Sequence, residues 1–580
     1  MGNVSSYLWP DEWVPGIVVK TALGSVLGKT ISLDQEKKFH AFLGIPFAEA
    51  PVGELRFKKP VPVKPWEGVK DCTQFGSRAM QADFVWDYFL APAGKSEDCL
   101  LLNVFVPEWD TDSQRPVLMF IHGGGFTVHS AADYGDKGIC RNLCRHDVIV
   151  VVIQYRLGLL GFFSTGDENC PGNLGLWDQT MAVKWVKENI DSFGGDPNNL
   201  TVFGQSAGGV GADLLTISPH SRDLFDKVIV MGGNAECEWA VAKPGNGLKI
   251  AESIAKRNGW ICDGEFGSFE RNKSLVAFLS LLPAQLLEVG LWGCSALNWN
   301  KRGLRFRPVM DGDFLPKPLD ELRKEAPKKV CMVGTTEYEA LLFALNWNKR
   351  GLRFRPVMDG DFLPKPLDEL RKEAPTKVCM VGTTEYEALL FVAIENSQCH
   401  LVSIDKTLMR SLPPEDHETL TKARQLYLGH VDPTCKDALS SDLLMNNGTQ
   451  EYCREMTEAG HDVFLYSFDY YREHTVGLLK YRMPFTAATH GYELRFLFGK
   501  GFFNKFSPDS DDKRMLDITT SYWTCFAKYG NPNGPTDPEQ IWRKLSVDDT
   551  YGHLSISLRP EFKADYHGRR AEFWKNVKTA

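Results

Sequence analysis

Apolar residues fall along this chain in two alternating rhythms. The short β-branched runs Val117–Phe120 and Val148–Gln154 are bounded by turns and lack polar alternation, the pattern of strands buried on both faces. Leu174–Asn189 then spaces its apolar positions at helical intervals, Trp185 and Val186 among them, before FGGDPNN breaks the pattern. Leu200–Phe203 predicts another buried strand, Gly209–Leu215 a helix and Lys227–Met231 a further strand. Late in the chain, Asp462–Ser467 predicts one more strand and Ser521–Tyr529 a helix. Strands alternating with helices imply right-handed crossovers and a mainly parallel sheet flanked by helices, an α/β architecture. No Gly/Ser-rich linker divides the chain, so one large domain over residues 15–575 is expected behind a tail of residues 1–14.

One feature interrupts this pattern. Residues Ala296–Phe343 recur as Ala344–Phe391, a spacing of 48 positions, with Lys328 of the first copy replaced by Thr376 in the second. Solenoids and propellers carry several copies with divergent ends, so two near-identical copies point instead to a recent tandem duplication or an assembly error in the sequence. Each copy holds a strand-like run, Val330–Val333 or Val378–Val381, followed by Gly-Thr-Thr-Glu. A central sheet has one position for such a strand, so one copy is expected to be an ill-fitting insertion.

Composition narrows the class. With 43% hydrophobic and 24% charged residues the chain can build a large core, which excludes a disordered or fibrous protein. A formal charge of −8 with no basic stripe argues against nucleic-acid binding, which depends on neutralising phosphates. The longest apolar stretch, Val148–Phe163, is broken by Gln154 and Arg156, so no membrane-spanning helix is expected. The opening MGNVSSYLWPDEW has no basic start, apolar stretch or cleavage site of a secretory signal, but Gly2 and Ser6 fit an N-myristoylation pattern. One acyl chain holds a protein to a membrane only marginally. A cytoplasmic protein with at most weak lipid-anchored membrane contact is the expectation, and the sequons at Asn199, Asn272 and Asn447 would matter only after secretion. The 14 cysteines are too sparse for a disulfide scaffold, and no Cys/His spacing suits a metal, so no metal or cofactor is expected.

The strongest chemical signal is Gly204-Gln205-Ser206-Ala207-Gly208, placed directly between the strand LTVF and a helix. A serine on such a turn projects its hydroxyl from the sheet edge, flanking glycines let backbones pass closely, and the helix N-terminus favours developing negative charge. A second signal, His122-Gly123-Gly124-Gly125-Phe126, follows the strand VLMFI and could aim bare peptide N–H groups at one point. A phosphate loop of the Walker type would need a Gly-Lys-Ser/Thr ending, which is missing. His122 itself suits packing or fixing the loop. A serine hydroxyl needs a base, and His490 lies in the small-residue loop Phe485-Thr486-Ala487-Ala488-Thr489-His490-Gly491, where nothing bulky blocks an imidazole. His461 and His474 also remain open on spacing. In the order serine, acid, histidine, the acid falls in GTTEYEA, which the repeat offers as Glu337/Glu339 and again as Glu385/Glu387. Asp178 precedes the serine and does not suit that order.

These motifs, together with FLGIPFAEAPVGELRFKKP, SEDCLLLNVFVP, QYRLGLLGFF, GNLGLWDQ, FGGDP and THGYEL, resemble the type-B carboxylesterase/lipase family, the cholinesterase-like branch of the α/β-hydrolase fold, over about Pro15 to Lys575. The resemblance implies a serine esterase acting on small-molecule carboxylic esters. It implies Ser206 as nucleophile, His490 as base, Gly124, Gly125 and Ala207 as oxyanion hole, and the sixth position of GTTEYE as acid, hence Glu339 or Glu387. Glu387 is slightly favoured because its continuation, FVAIEN, is unduplicated. The resemblance also implies a Cys72–Cys99 disulfide, while Cys262 has no partner at the family's spacing. In a cytoplasmic protein even the first pair could stay reduced. Gln205 stands where many members have Glu, Trp86 misses the choline-binding spacing, and Gly233 replaces a small polar residue, all of which count against cholinesterase activity. Two rival readings are a non-catalytic adhesion member of the same fold and an inactive product of the duplication. Oligomeric state is not legible.

Overall fold

The computed structural model describes residues 14–33, 37–83, 91–290, 307–327, 330–334, 378–384, 416–428, 441–475, 487–500, 506–535 and 539–579, together with 408, 412, 438 and 439. Among these, fourteen strands join one sheet. They are β1 (Val14–Lys20), β2 (Ser25–Ser32), β3 (Lys38–Pro46), β4 (Val69–Asp71), β5 (Leu101–Pro107), β6 (Arg115–Ile121) and β7 (Ile149–Ile153), then β8 (Gly195–Gln205), β9 (Lys227–Met231), β10 (Val330–Gly334), β11 (Val378–Thr384), β12 (Asp462–Phe468), β13 (His553–Ile556) and β14 (Glu561–Lys563). Across the sheet the order runs β1-β2-β3-β5-β7-β6-β8-β9, then β10 and β11, then β12-β13-β14, with β4 on β2.

The centre is parallel, from β7 through β6, β8 and β9 to β12 and β13, as the buried runs predict. The edges are antiparallel: β1, β2, β3, β5 and β7 pair in that sense, and so do β13 and β14. Alternate residues of the central strands enter opposite cores. Val117, Met119, Ile121, Val151 and Val202 pack on one face, and Leu118, Phe120, Val150, Val152 and Phe203 on the other. Two buried faces leave no position for a polar residue, which is why these strands read as continuous apolar runs.

Three helices frame the site. The helix α1 (Leu174–Asn189) has the predicted limits, and α2 (Ala207–Ile217) follows β8 directly. The helix α3 (Ser510–Tyr529) begins eleven residues before the predicted start at Ser521. Its first turn is acidic, and a capping box between Asp509 and Asp512 sets the start, with the Asp509 side chain accepting from the Asp512 N–H at 2.9 Å. No helix among the described residues is long and apolar enough to cross a membrane.

The duplicated strands meet the same neighbours. Met332 of β10 pairs with Ile229 of β9 and Phe464 of β12, and Met380 of β11 pairs with the same two residues. Val333 and Val381 likewise share Val230 and Leu465. Adjacent strands lie about 4.8 Å apart, so the gap between β9 and β12 fits one strand. The chain offers it two. Upstream of β10, the first copy is docked on the body of the protein: Phe314, Leu315 and Leu322 are fully buried, and Arg323 forms a bidentate pair with Asp213 of α2 at 2.5 and 2.6 Å. The equivalent part of the second copy lies outside the described residues.

Candidate active site

The serine turn is built by close backbone packing. Ser206 sits between β8 and α2 at φ 60° and ψ −127°, a region L side chains rarely enter. Its N–H donates to the Met231 carbonyl at 2.7 Å and its carbonyl accepts from Val210 at 3.0 Å, so both neighbouring elements hold the turn. The two glycines of the motif are required by space. A β-carbon on Gly204 would lie 2.2 Å from the Gly208 oxygen, and one on Gly208 would lie 2.0 Å from the Ile121 oxygen. The second contact ties the start of α2 to the end of β6, where the glycine loop begins.

That loop lies against the serine. A β-carbon on Gly123 would sit 3.0 Å from Ser206 Cβ and 3.0 Å from Gln205 Oε1. Gly124 and Gly125 have φ of 105° and 59°. Their carbonyls are tied back into the loop, Gly124 accepting from the Thr127 and Val128 N–H groups and Gly125 from Thr127 Oγ1. Ala207 opens α2, so its N–H has no acceptor within the helix. His122 anchors the loop's start, as its composition suggests. It is fully buried, stacks on Tyr155 with ring centroids 4.5 Å apart, and donates from Nδ1 to the Gly123 carbonyl at 2.9 Å, while Tyr155 Oη donates to the His122 carbonyl at 2.7 Å. Burial pulls the His122 pKa down to about 4, so the ring is neutral near pH 7.

His490 reaches this corner from a different part of the chain. Ala487, Ala488 and Thr489 before it are buried, and the Tyr492 N–H closes a turn onto the Thr489 carbonyl at 2.7 Å. Gln205, next to the serine, bonds the imidazole: Gln205 Nε2 lies 2.8 Å from His490 Nε2 and 3.3 Å from Nδ1. The structure therefore brings Ser206, the glycine loop and the segment of His490 together at the carboxyl ends of β6 and β8. Glu339 and Glu387, the two candidates for the acid, lie outside the described residues, as do Gly2 and Trp86. Of the other open histidines, His474 bonds Asp512 at 2.9 Å, and His461 is buried at the entry to β12.

Two features escaped the sequence reading. Asp178, set aside as an acid candidate, is wholly buried and accepts from Arg156 Nε and Nη2 at 2.8 and 2.7 Å, a paired charge locking α1 to the segment after β7. The link between Gln205 and His490 is the other, and its only signal was a polar residue at the end of an apolar strand. Cys72 and Cys99, the pair for which the resemblance implies a disulfide, are both buried, and no bond joins them in this structure. Burial pushes the Cys72 thiol up to about 12 and the Cys99 thiol higher still.

A parallel sheet carrying a serine on a strained strand-to-helix turn at its carboxyl edge defines an α/β-hydrolase. Comparison with known proteins takes this further. A model of the carboxylesterase family matches residues 15–351 and 346–574, two stretches that meet inside the duplication, and the chain belongs to that family. It is 37% identical to esterase cest-33 of Caenorhabditis elegans over 100% of this chain and 96% of that one. It is 30% identical to carboxylesterase 1D of Rattus norvegicus over 97% and 93%, and 29% identical to the medium-chain fatty acyl-CoA hydrolase precursor of Anas platyrhynchos over 96% and 92%. The protein is a carboxylic ester hydrolase. The expected cytoplasmic location is overturned by these relatives, since carboxylesterases of this kind are typically secreted or lumenal and the duck protein is described as a precursor.

Proposed function

We propose that the protein cleaves small-molecule carboxylic esters in two steps through an acyl-enzyme on Ser206. In the first, His490 takes the hydroxyl proton as Ser206 Oγ bonds the ester carbonyl carbon, and the oxyanion is received by the N–H groups of Gly124, Gly125 and Ala207. Collapse breaks the bond to the alkoxy oxygen, which leaves as the alcohol with the proton from His490. In the second, His490 deprotonates water, the water attacks the acyl carbon, and Ser206 leaves with its proton restored. Glu339 or Glu387 orients the imidazole and stabilises its charged form.

The observation that carries this reading is the serine in a left-handed turn whose neighbour, Gln205, bonds the His490 imidazole at 2.8 Å. A fluorophosphonate probe tests it. The purified protein is expected to hydrolyse a short-chain p-nitrophenyl ester and to be labelled covalently, and Ser206→Ala is expected to lose both. Labelling that persists in a folded Ser206→Ala protein overturns the assignment. Absence of turnover in the parent chain would favour the non-catalytic readings.

A further inference from the structure

An oxyanion site works only if its N–H groups stay aimed while charge develops on the substrate oxygen. Glycines restrain themselves poorly, because their backbone turns freely, so the glycine loop has to be held by its neighbours. Beyond the glycines, two residues of the loop have left-handed backbone, Phe126 at φ 58° and His129 at φ 76°. Phe126 is fully buried and its carbonyl accepts from the Gly158 N–H at 2.7 Å, so packing secures it. His129 is only partly buried. The chain after it is fixed separately, the Ser130 N–H by Asp133 and the Ala131 N–H by Gln154, each at 2.8 Å. The joint that these anchors leave open is His129.

We infer that Gln81 is a positioning residue that locks this joint and thereby holds Gly124 in place to receive the oxyanion. Its Oε1 accepts the His129 N–H at 2.8 Å, and its Nε2 donates to the His129 carbonyl at 3.0 Å and to the Ala79 carbonyl at 3.1 Å. One planar amide grips both polar groups of a single left-handed residue. The grip reaches Gly124 through one peptide. The His129 N–H that Gln81 accepts belongs to the same peptide plane as the Val128 carbonyl, and a β-carbon on Gly124 would lie 2.1 Å from that carbonyl oxygen. It would also lie 2.7 Å from His129 Cδ2, and the Val128 N–H donates to the Gly124 carbonyl at 3.1 Å. Gly124 thus rests on the peptide and the ring that Gln81 positions, while Asp133 ties the ring itself, with Nδ1 3.5 Å from Oδ2. The clamp has a firm footing. Gln81 is 1% exposed, its carbonyl accepts from Lys95 Nζ at 2.9 Å, and the next N–H, of Ala82, reaches the Val289 carbonyl at 3.3 Å. Gln81 touches neither substrate nor serine in this role; it acts through His129 and Val128.

This rests on the proposed roles of Ser206 and Gly124, and the test separates the two failures. Gln81→Met keeps the length of the side chain but removes its donor and its acceptor. Turnover of a p-nitrophenyl ester is measured per serine titrated to completion with a fluorophosphonate, so that misfolded protein is not counted. Gln81→Met is expected to lower kcat about 10- to 100-fold, the cost of misplacing a catalytic group by about 1 Å. KM is expected to stay within about twofold, because the lost interaction is made only in the transition state. A second readout isolates the oxyanion site. A trifluoromethyl ketone takes the Ser206 oxygen onto its carbonyl carbon, the proton passing to His490, and leaves its own oxygen as an anion at the same N–H groups. Its affinity is expected to fall by the same factor as kcat. Wild-type kcat per titrated serine overturns the inference and leaves the serine assignment intact, and so does a lower kcat with unchanged ketone affinity. Labelling of a folded Ser206→Ala protein overturns both. If Gln81→Met fails to fold, Gln81→Asn, which keeps the amide but draws it back by one methylene, is read by the same outcomes.

Discussion

Ser206 stores backbone strain, and two variants that lack its hydroxyl measure it. At φ 60° and ψ −127° an L residue is held in a region that costs roughly 1–3 kcal/mol, while glycine enters it freely. Ser206→Ala and Ser206→Gly both remove the hydroxyl, but only glycine removes the β-carbon that creates the strain. Glycine also loosens the unfolded chain, which costs about 0.4–1 kcal/mol. The difference leaves Ser206→Gly more stable than Ser206→Ala by about 0.5–2 kcal/mol. A melting temperature reads this poorly, because an unfolding entropy of about 2 cal/mol/K per residue over 580 residues reduces it to a shift of about 0.4–2 °C. The rate of unfolding in fixed urea reads it well. If the transition state has released the turn, Ser206→Gly unfolds more slowly than Ser206→Ala by about 2- to 30-fold, followed by tryptophan fluorescence. Equal rates, or a slower Ser206→Ala, would show that the turn carries no strain and that its geometry is set only by the Met231 and Val210 hydrogen bonds.

The other predictions concern the loop and the repeat. His122 is buried neutral with its pKa lowered from 6.5 to about 4, so between those values the unfolded chain binds a proton that the folded one does not. Stability contributed at neutral pH is therefore lost as pH falls from 6.5 to 4, by up to about 3 kcal/mol from this group. Denaturation midpoints from pH 7 to 4 should fall less steeply in His122→Gln, and an unchanged slope counts against the assignment. Deleting either repeat copy gives the same chain apart from Lys328 or Thr376. That single-copy protein should fold, resist urea better than the parent and retain or exceed its esterase activity; a single-copy protein that unfolds or loses turnover contradicts the one-position account.

What could be read from the sequence follows from how many constraints each residue meets locally. Strands such as Val117–Phe120 and Val228–Met231 were legible because burial on both faces leaves them a continuous apolar run. The strand β2 was passed over because burial on one face leaves a weaker, mixed pattern in Ser25–Ser32. In the site, Ser206 and the glycine loop were legible because their steric needs are written in adjacent residues. The contact of Gln205 with His490 joins positions 285 apart and leaves no local trace. The same distinction explains the repeat. Each copy of KVCMVGTT carries all that a strand requires, and both take the same register against β9 and β12. Local sequence therefore makes two strands, and competition for one gap decides which is used. The buried pair of Arg323 with Asp213 weights that competition towards the first copy, since removing one partner of such a pair costs about 3–5 kcal/mol. The second copy has the shorter path into β12 and pairs with it along seven residues. The first copy is thus favoured upstream and the second at β12, so β10 and β11 compete for the same neighbours.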